Sequence, residues 1–272
     1  MPHPVLLAAA DTAGAHALAC YLGLLALLLA LEAAAWRVEP HALRHAGQRV
    51  PRLPSLRARL WLGVAVFAGA AICFAAVAYA VGGGDGGELA QVDRALLDAL
   101  RAGMPARALQ DFEWVTWFGD GRTLALLCAL AAVVLLARRE RILALALVVA
   151  VGGNGLLNAA LKRLFERPRP LHEAGLPVAH GWSFPSGHTS GAVVAYGMLA
   201  YVLVKTLPSR WHLPVVMAAT ALAFSVGWSR IFIEVHFASD VLAAFASGTA
   251  WLTLAIVATE CRLRRSSTQP PP

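Results

Sequence analysis

Seven long apolar stretches, separated by more polar connections, constrain this chain more than any other feature. They run approximately Ala15–Ala35, Leu60–Val81, Trp114–Ala137, Ile142–Leu161, Gly187–Leu207, Leu213–Ser229 and Phe237–Thr259. A helix needs about 20 such residues to cross roughly 30 Å of hydrocarbon, and a backbone in lipid must satisfy its own hydrogen bonds, as a helix does. The composition agrees: 58% of the 272 residues are hydrophobic and 14% charged, against about 45–50% and 25% in soluble domains. Too few polar residues remain to cover a water-facing surface, so the predicted fold class is an all-α, polytopic membrane helical bundle. Disorder, collagen and a disulfide scaffold are excluded on the same grounds. Of the four cysteines, Cys20, Cys73 and Cys128 lie inside apolar runs and Cys261 follows the last one, with no disulfide or metal-ligand spacing.

The net charge of +7 is read against topology before nucleic acid, because Lys and Arg concentrate on the cytoplasmic side of a membrane. Six arginines in Trp36–Arg59, then Arg138, Arg139 and Arg141, Lys205 and Arg210, and Arg262, Arg264 and Arg265 all fall on one side of an alternating seven-span path. The connection Gly82–Gly121, on the other side, holds three arginines and seven acids. The first set is therefore assigned to the cytoplasm, the N-terminus to the outside, and no nucleic-acid partner is expected. Within Gly82–Gly121, the apolar positions Leu89, Val92, Leu96, Leu97 and Leu100 predict a short amphipathic surface helix over Glu88–Ala102. Ala33-Ala34-Ala35 resembles a signal-peptide cleavage site, but no positive n-region precedes the run, so the first span is expected to be retained. The organisation read is an extra N-terminal span and basic loop over 1–59, a six-span core over 60–260, and a disordered cytoplasmic tail over 261–272.

Six basic residues remain, Arg122 and, at outer ends of spans, Lys162, Arg163, Arg167, Arg169 and Arg230. Charge in a bilayer is costly, so such clustering needs a reason. Three constellations share that face: Lys162 with Arg169-Pro170, then Pro185-Ser186-Gly187-His188 where the fifth span begins, then Ser229-Arg230, His236 and Asp240 around the last turn. Lys162, Arg169 and Arg230 would cradle the nonbridging oxygens of a phosphate. Ser186 and the N–H groups around Gly187 open a helix, where an anion is favoured. Asp240 comes four positions after His236, so a helix starting there sets the carboxylate beside the imidazole. His236 is then the expected nucleophile, and His188 the general acid and base. The cations supply the charge stabilisation a metal would give, so neither metal nor cofactor is expected.

The three blocks, eleven specified residues in this order and spacing, resemble the signature of the type 2 phosphatidic acid phosphatase superfamily. The likeness covers about Leu60–Thr259. It implies a helical bundle with its pocket near the outer leaflet, phosphate binding by Lys162, Arg169, Ser186, Gly187 and Arg230, and catalysis by His188, His236 and Asp240. It departs in two places: Glu234 stands where relatives often have glycine, and Arg167-Pro168 duplicates the Arg-Pro pair. Arg169 has the family distance from Lys162 and is chosen. The expected activity is hydrolysis of a lipid phosphate or diphosphate at the outer face of a cytoplasmic (inner) membrane, through a phosphohistidine. Undecaprenyl diphosphate leads as substrate. Phosphatidic acid, phosphatidylglycerol phosphate and lipid A compete with it, a lipid phosphotransferase is a related reading, and an anion transporter is the non-enzymatic one.

Plainer readings apply elsewhere. Arg163 and Arg167 read as interface-anchoring or headgroup-contacting residues rather than catalytic ones. Glu234, four residues after Arg230, reads as an ion-pair partner or a selectivity residue. Trp114, Trp117, Trp182 and Trp211 read as interfacial belt residues, and His172 and His180 as solvated loop histidines.

Overall fold

The computed structural model describes residues 4–45, 56–83, 87–170 and 181–268, and no strand occurs among them. Ten α-helices follow in order: α1 (Pro4–Ala15), α2 (Ala17–His45), α3 (Leu56–Val81), α4 (Glu88–Gly103), α5 (Ala106–Thr116), α6 (Gly121–Ala137), α7 (Arg141–Phe165), α8 (Gly187–Thr206), α9 (His212–Phe232) and α10 (Ala238–Thr268). Six of them are long and apolar enough to span a membrane, and α5 with α6 makes a seventh if that bent pair is one span. The protein is a multi-pass membrane bundle. Its outward surface is apolar, with Leu126, Leu130, Val133 and Leu156 all more than half exposed, the distribution a lipid solvent requires.

Helix α8 is the centre, packed against α6, α7, α9 and α10, with Ala192, Val194, Ala195 and Met198 wholly buried. Large α10 side chains press into glycine sockets around it. A Cβ at Gly197 would stand 2.3 Å from Leu252 Cδ2, and one at Gly153 2.4 Å from Trp251 Cζ2. Small residues let membrane helices approach this closely, and packing rather than water exclusion drives their association. The Trp251 indole N–H also donates to Ala150 O at 2.8 Å.

Three expectations need correcting. The third predicted span is not one straight helix: α5 and α6 meet at 47°. A 3₁₀ turn, Trp117–Gly119, closes α5, and extended Asp120 caps α6 by accepting from the N–H groups of Arg122, at 2.9 Å, and Thr123. The tail is not disordered from 261 onward, because α10 continues to Thr268. Leu263 packs on the core, while Glu260 pairs with Lys205 and accepts from the Tyr201 hydroxyl at 2.9 Å, so that end of the helix is held. The amphipathic surface helix is present as α4, but it lies under α1 rather than bare at the surface. A Cβ at Gly14 of α1 would stand 2.6 Å from Ala99 Cβ.

The extra span, α2, packs on α9. The Tyr21 hydroxyl lies 2.7 Å from Ser225 Oγ, and the Tyr21 ring sits among Phe112, Phe224, Trp228 and Phe232.

Candidate active site

Asn154, Asn158 and Lys162 lie four residues apart on α7, so one helix face carries a polar stripe through an otherwise apolar span. The stripe docks the chain entering α8. Asn158 Nδ2 donates to Pro185 O at 3.4 Å and Ser190 Oγ at 3.3 Å, Asn154 Nδ2 to Ser190 Oγ at 3.5 Å, and Lys162 Nζ to Trp182 O. Gly187 fits against it because a Cβ there would stand 3.0 Å from Asn158 Oδ1. Ser186 is fully buried; its N–H donates to Asp240 O at 3.2 Å, tying the start of α8 to the start of α10.

The His236 backbone N–H donates to Arg230 O at 3.2 Å, which closes the turn between α9 and α10 and sets the imidazole over the same end of the bundle. Arg169 Nη1 lies 3.1 Å from His236 Nε2. A guanidinium has no acceptor, so Nε2 is the unprotonated nitrogen and Nδ1 carries the hydrogen. Nδ1 in turn lies 3.3 Å from Ser183 Oγ and 3.4 Å from Asp240 Oδ2. Burial pushes the His236 pKa down to about 3; Asp240 pulls against it, and Arg169 and Arg230 reinforce it. The ring is therefore neutral at pH 7, its lone pair facing a cation. Arg169 also donates to Val235 O at 2.7 Å and Gly181 O at 2.9 Å.

Arg230 is buried, donates from Nη1 to Thr116 Oγ1, and has a buried Nε with no hydrogen-bond partner among the described residues. An orphaned guanidinium donor inside a membrane protein is costly to leave unmatched and suits an anion. His188, on the first turn of α8, shares the electrostatic field of Arg230, His236, Arg169 and Lys162. Gly119, in the 3₁₀ turn, lets the broken span come in beside it: a Cβ there would meet Val226 Cγ1 at 2.3 Å and His188 Cβ at 3.2 Å.

The eight residues singled out in the sequence thus stand at one end of the bundle, at the close of α7 and α9 and the opening of α8 and α10. Sequence reasoning missed Ser183, Asp93, Ser239 and Asn158. Asp93 had a signal, since it shares the buried face of α4 with Ala90, Leu97 and Leu100, where an acid needs a partner. Arg167 is not an interface anchor. It is buried, donating to Asp240 Oδ1 and Ser239 Oγ at 2.7 Å each and to Asp93 Oδ2 at 2.9 Å. Burial works against its cation, but the charges of Asp240 and Asp93 outweigh that and raise its pKa. Glu234 accepts from Arg101 Nε at 2.6 Å rather than pairing with Arg230. Arg163 is exposed, as are Trp114, Trp117, Trp182 and Trp211. His172 and His180 lie outside the described residues.

The pattern defining the PAP2 superfamily matches residues 143–263, a segment that holds all eight of these residues. Phosphatidylglycerophosphatase B of Bacillus subtilis is 41% identical over 108 residues, 38% of this chain and 52% of that protein, so the match spans about half the length of this curated relative. A crystal structure described as the first transmembrane PAP2 type phosphatidylglycerolphosphate phosphatase from Bacillus subtilis superposes with a TM-score of 0.62 at 28% identity, covering 76% of this chain and 97% of that one. The segment 143–263, which carries the site, is thus a PAP2 superfamily segment, and the bundle around it resembles that of a transmembrane PAP2 type phosphatase.

Proposed function

We propose that the protein is a membrane lipid phosphatase that works through a phosphohistidine on His236. The observation that carries this reading is the His236 ring, neutral and with its Nε2 lone pair 3.1 Å from the Arg169 guanidinium. A phosphate bridging Arg169, Lys162 and the Nε of Arg230 would bring phosphorus to that lone pair. Nε2 attacks, and the P–O bond to the lipid breaks. His188 gives its proton to the leaving oxygen, Asp240 stabilises the cationic ring, and His188 then takes a proton from the water that releases inorganic phosphate. Ser186 and the N–H groups opening α8 join in holding the phosphate. Three cations offset the developing charge, so the reaction is proposed to run without a metal, and EDTA should leave its rate unchanged.

Two substrates are proposed in order. Phosphatidylglycerol phosphate comes first, because both relatives reported above carry that activity in their names. Undecaprenyl diphosphate is second, resting on the phosphate-reading residues alone. The basic connections support an inner-membrane orientation with the site on the periplasmic face. Phosphate release by the purified chain in detergent, across a panel of phosphorylated lipids with kcat/KM compared, tests the assignment. His236→Ala should abolish turnover while substrate still binds; turnover that survives it would reject the mechanism. Transfer to a lipid hydroxyl without phosphate release would make the protein a phosphotransferase.

A further inference from the structure

Asp93 and Arg167 are buried ions that the proposed chemistry leaves unused. We propose that they are positioning residues, holding Asp240, and through it the His236 ring, in the attacking geometry. The inference rests on the phosphatase reading of the site.

The Asp240 carboxylate is fully committed. Its Oδ2 accepts from Ser183 Oγ and from Phe237 N at 2.9 Å, and faces His236 Nδ1. Its Oδ1, on the side away from the ring, accepts from Arg167 Nη1 at 2.7 Å. The orientation of the carboxylate therefore depends on where Arg167 stands. Arg167 is fixed by Asp93 of α4 at 2.9 Å and by the Phe237 ring, 4.6 Å from its guanidinium carbon. Asp93 holds the other end as well, accepting from Ser239 N at 3.1 Å and from Ser239 Oγ, one residue before Asp240. A helix outside the matched family segment thus grips both the guanidinium and the first turn of the helix that carries the carboxylate.

Stability alone explains this poorly. Arg167, Asp93 and Asp240 have side chains only 9%, 3% and 0% exposed. Desolvating each ion is costly, and apolar replacements of similar volume often serve a fold as well or better. What a planar, donor-only fork adds is direction: it fixes the planes of two carboxylates at once. Partners of this kind, one bond removed from a reacting group, typically affect activity 10- to 100-fold in metal sites, and the same logic applies to an oriented imidazole.

The test is single-turnover and steady-state phosphate release by the full chain. The variants are His236→Ala, Asp240→Asn, Asp93→Asn, Arg167→Lys and Arg167→Gln, with Asp93→Asn and Arg167→Gln each also combined with Asp240→Asn. Asp93→Asn is expected to lower kcat about 10-fold and Arg167→Gln about 100-fold, with KM within about 2-fold. Arg167→Lys should recover part of the loss. In the Asp240→Asn background each should cost less than about 3-fold, because the group they act through is already impaired. Undiminished losses in that background, a loss confined to KM, or full kcat in both single variants would overturn the proposal. Should Arg167→Gln fail to fold, Asp93→Asn, which keeps side-chain shape, decides alone. Full activity in His236→Ala, or no phosphate release by the unmodified chain, would overturn the phosphatase reading and this inference with it. An inactive His236→Ala beside fully active Asp93→Asn and Arg167→Gln would overturn this inference only.

Discussion

At one end of the bundle Lys205 and Glu260 pair with side chains 34% and 20% exposed. At the other, Arg167 joins Asp93 and Asp240 with every member under a tenth exposed. The first pair is solvated, and such pairs contribute about 0–1 kcal/mol. The second gives up hydration that its own attraction repays only with good geometry. Both ends tie helices together, but only one does so at a cost that calls for a further benefit, and there stand the histidines and Arg230, whose Nε has no partner among the described residues. Charge buried with all its partners in place marks the working end of the molecule.

Breaking each end in turn gives the largest expected contrast. Arg230→Ala removes a cation whose Nε has no partner among the described residues, and kcat/KM should fall about 10²- to 10³-fold, as when a transition-state donor is lost. Glu260→Gln, at the solvated end, should leave kcat/KM within about 2-fold. Comparable losses in phosphate release from the two variants would erase the distinction between the ends.

Acid sharpens the same contrast. An ordinary histidine titrates near 6.5, but burial holds His236 at about 3. The acid limb of kcat/KM assigned to His236 should therefore lie near 3, because only below that does the ring take up the proton that removes its lone pair. Stability follows the same sign. The unfolded chain binds a proton near 6.5 that the folded ring refuses until about 3, so this contribution is present above about 6.5 and is lost as pH falls through that window. A pH–rate series with a melting curve at each pH checks both, and a His236-dependent limb near 6.5 would mean that the ring is solvated.

A smaller effect is expected from the α7 stripe. Asn158→Leu deletes donors to Pro185 O and Ser190 Oγ and leaves those acceptors buried, a loss of about 1–3 kcal/mol. Stability should drop by that order and kcat by about 10-fold as the start of α8 loosens. Unchanged thermal unfolding would show that water replaces the amide.

Much of this was legible in the sequence because hydrophobic length fixes spans, and because the eight singled-out residues sit in short motifs at span ends. What escaped was non-local. The duplicated Arg-Pro pair offers two arginines whose chemistry is alike, and only packing separates them: Arg169 reaches His236, whereas Arg167 turns inward to Asp93, 74 residues away in sequence. The break at Asp120 escaped because an aspartate capping α6 looks, in a hydropathy reading, like one tolerated charge in a long run. The reach of α10 to Thr268 escaped because Lys205 and Tyr201, which hold it, belong to another helix.

Between the two ends in burial lies the pair Arg101–Glu234, with side chains 26% and 7% exposed, and it gives the finest test. Glu234 adopts φ 57°, a left-handed conformation that costs a residue with a Cβ about 1–3 kcal/mol and glycine little. This explains on backbone grounds why a glycine suits the position. Here the carboxylate gains in exchange the 2.6 Å hydrogen bond from Arg101 Nε, linking α4 to the turn before His236. Glu234→Gln keeps the backbone strain and loses the charge, whereas Glu234→Gly loses the pair but relieves the strain. The glycine variant should therefore unfold within about 1 kcal/mol of the unmodified chain, and the glutamine variant below both. If glutamine proves the more stable of the two, the tie to α4 outweighs the backbone, and this pair groups with the buried end rather than the solvated one.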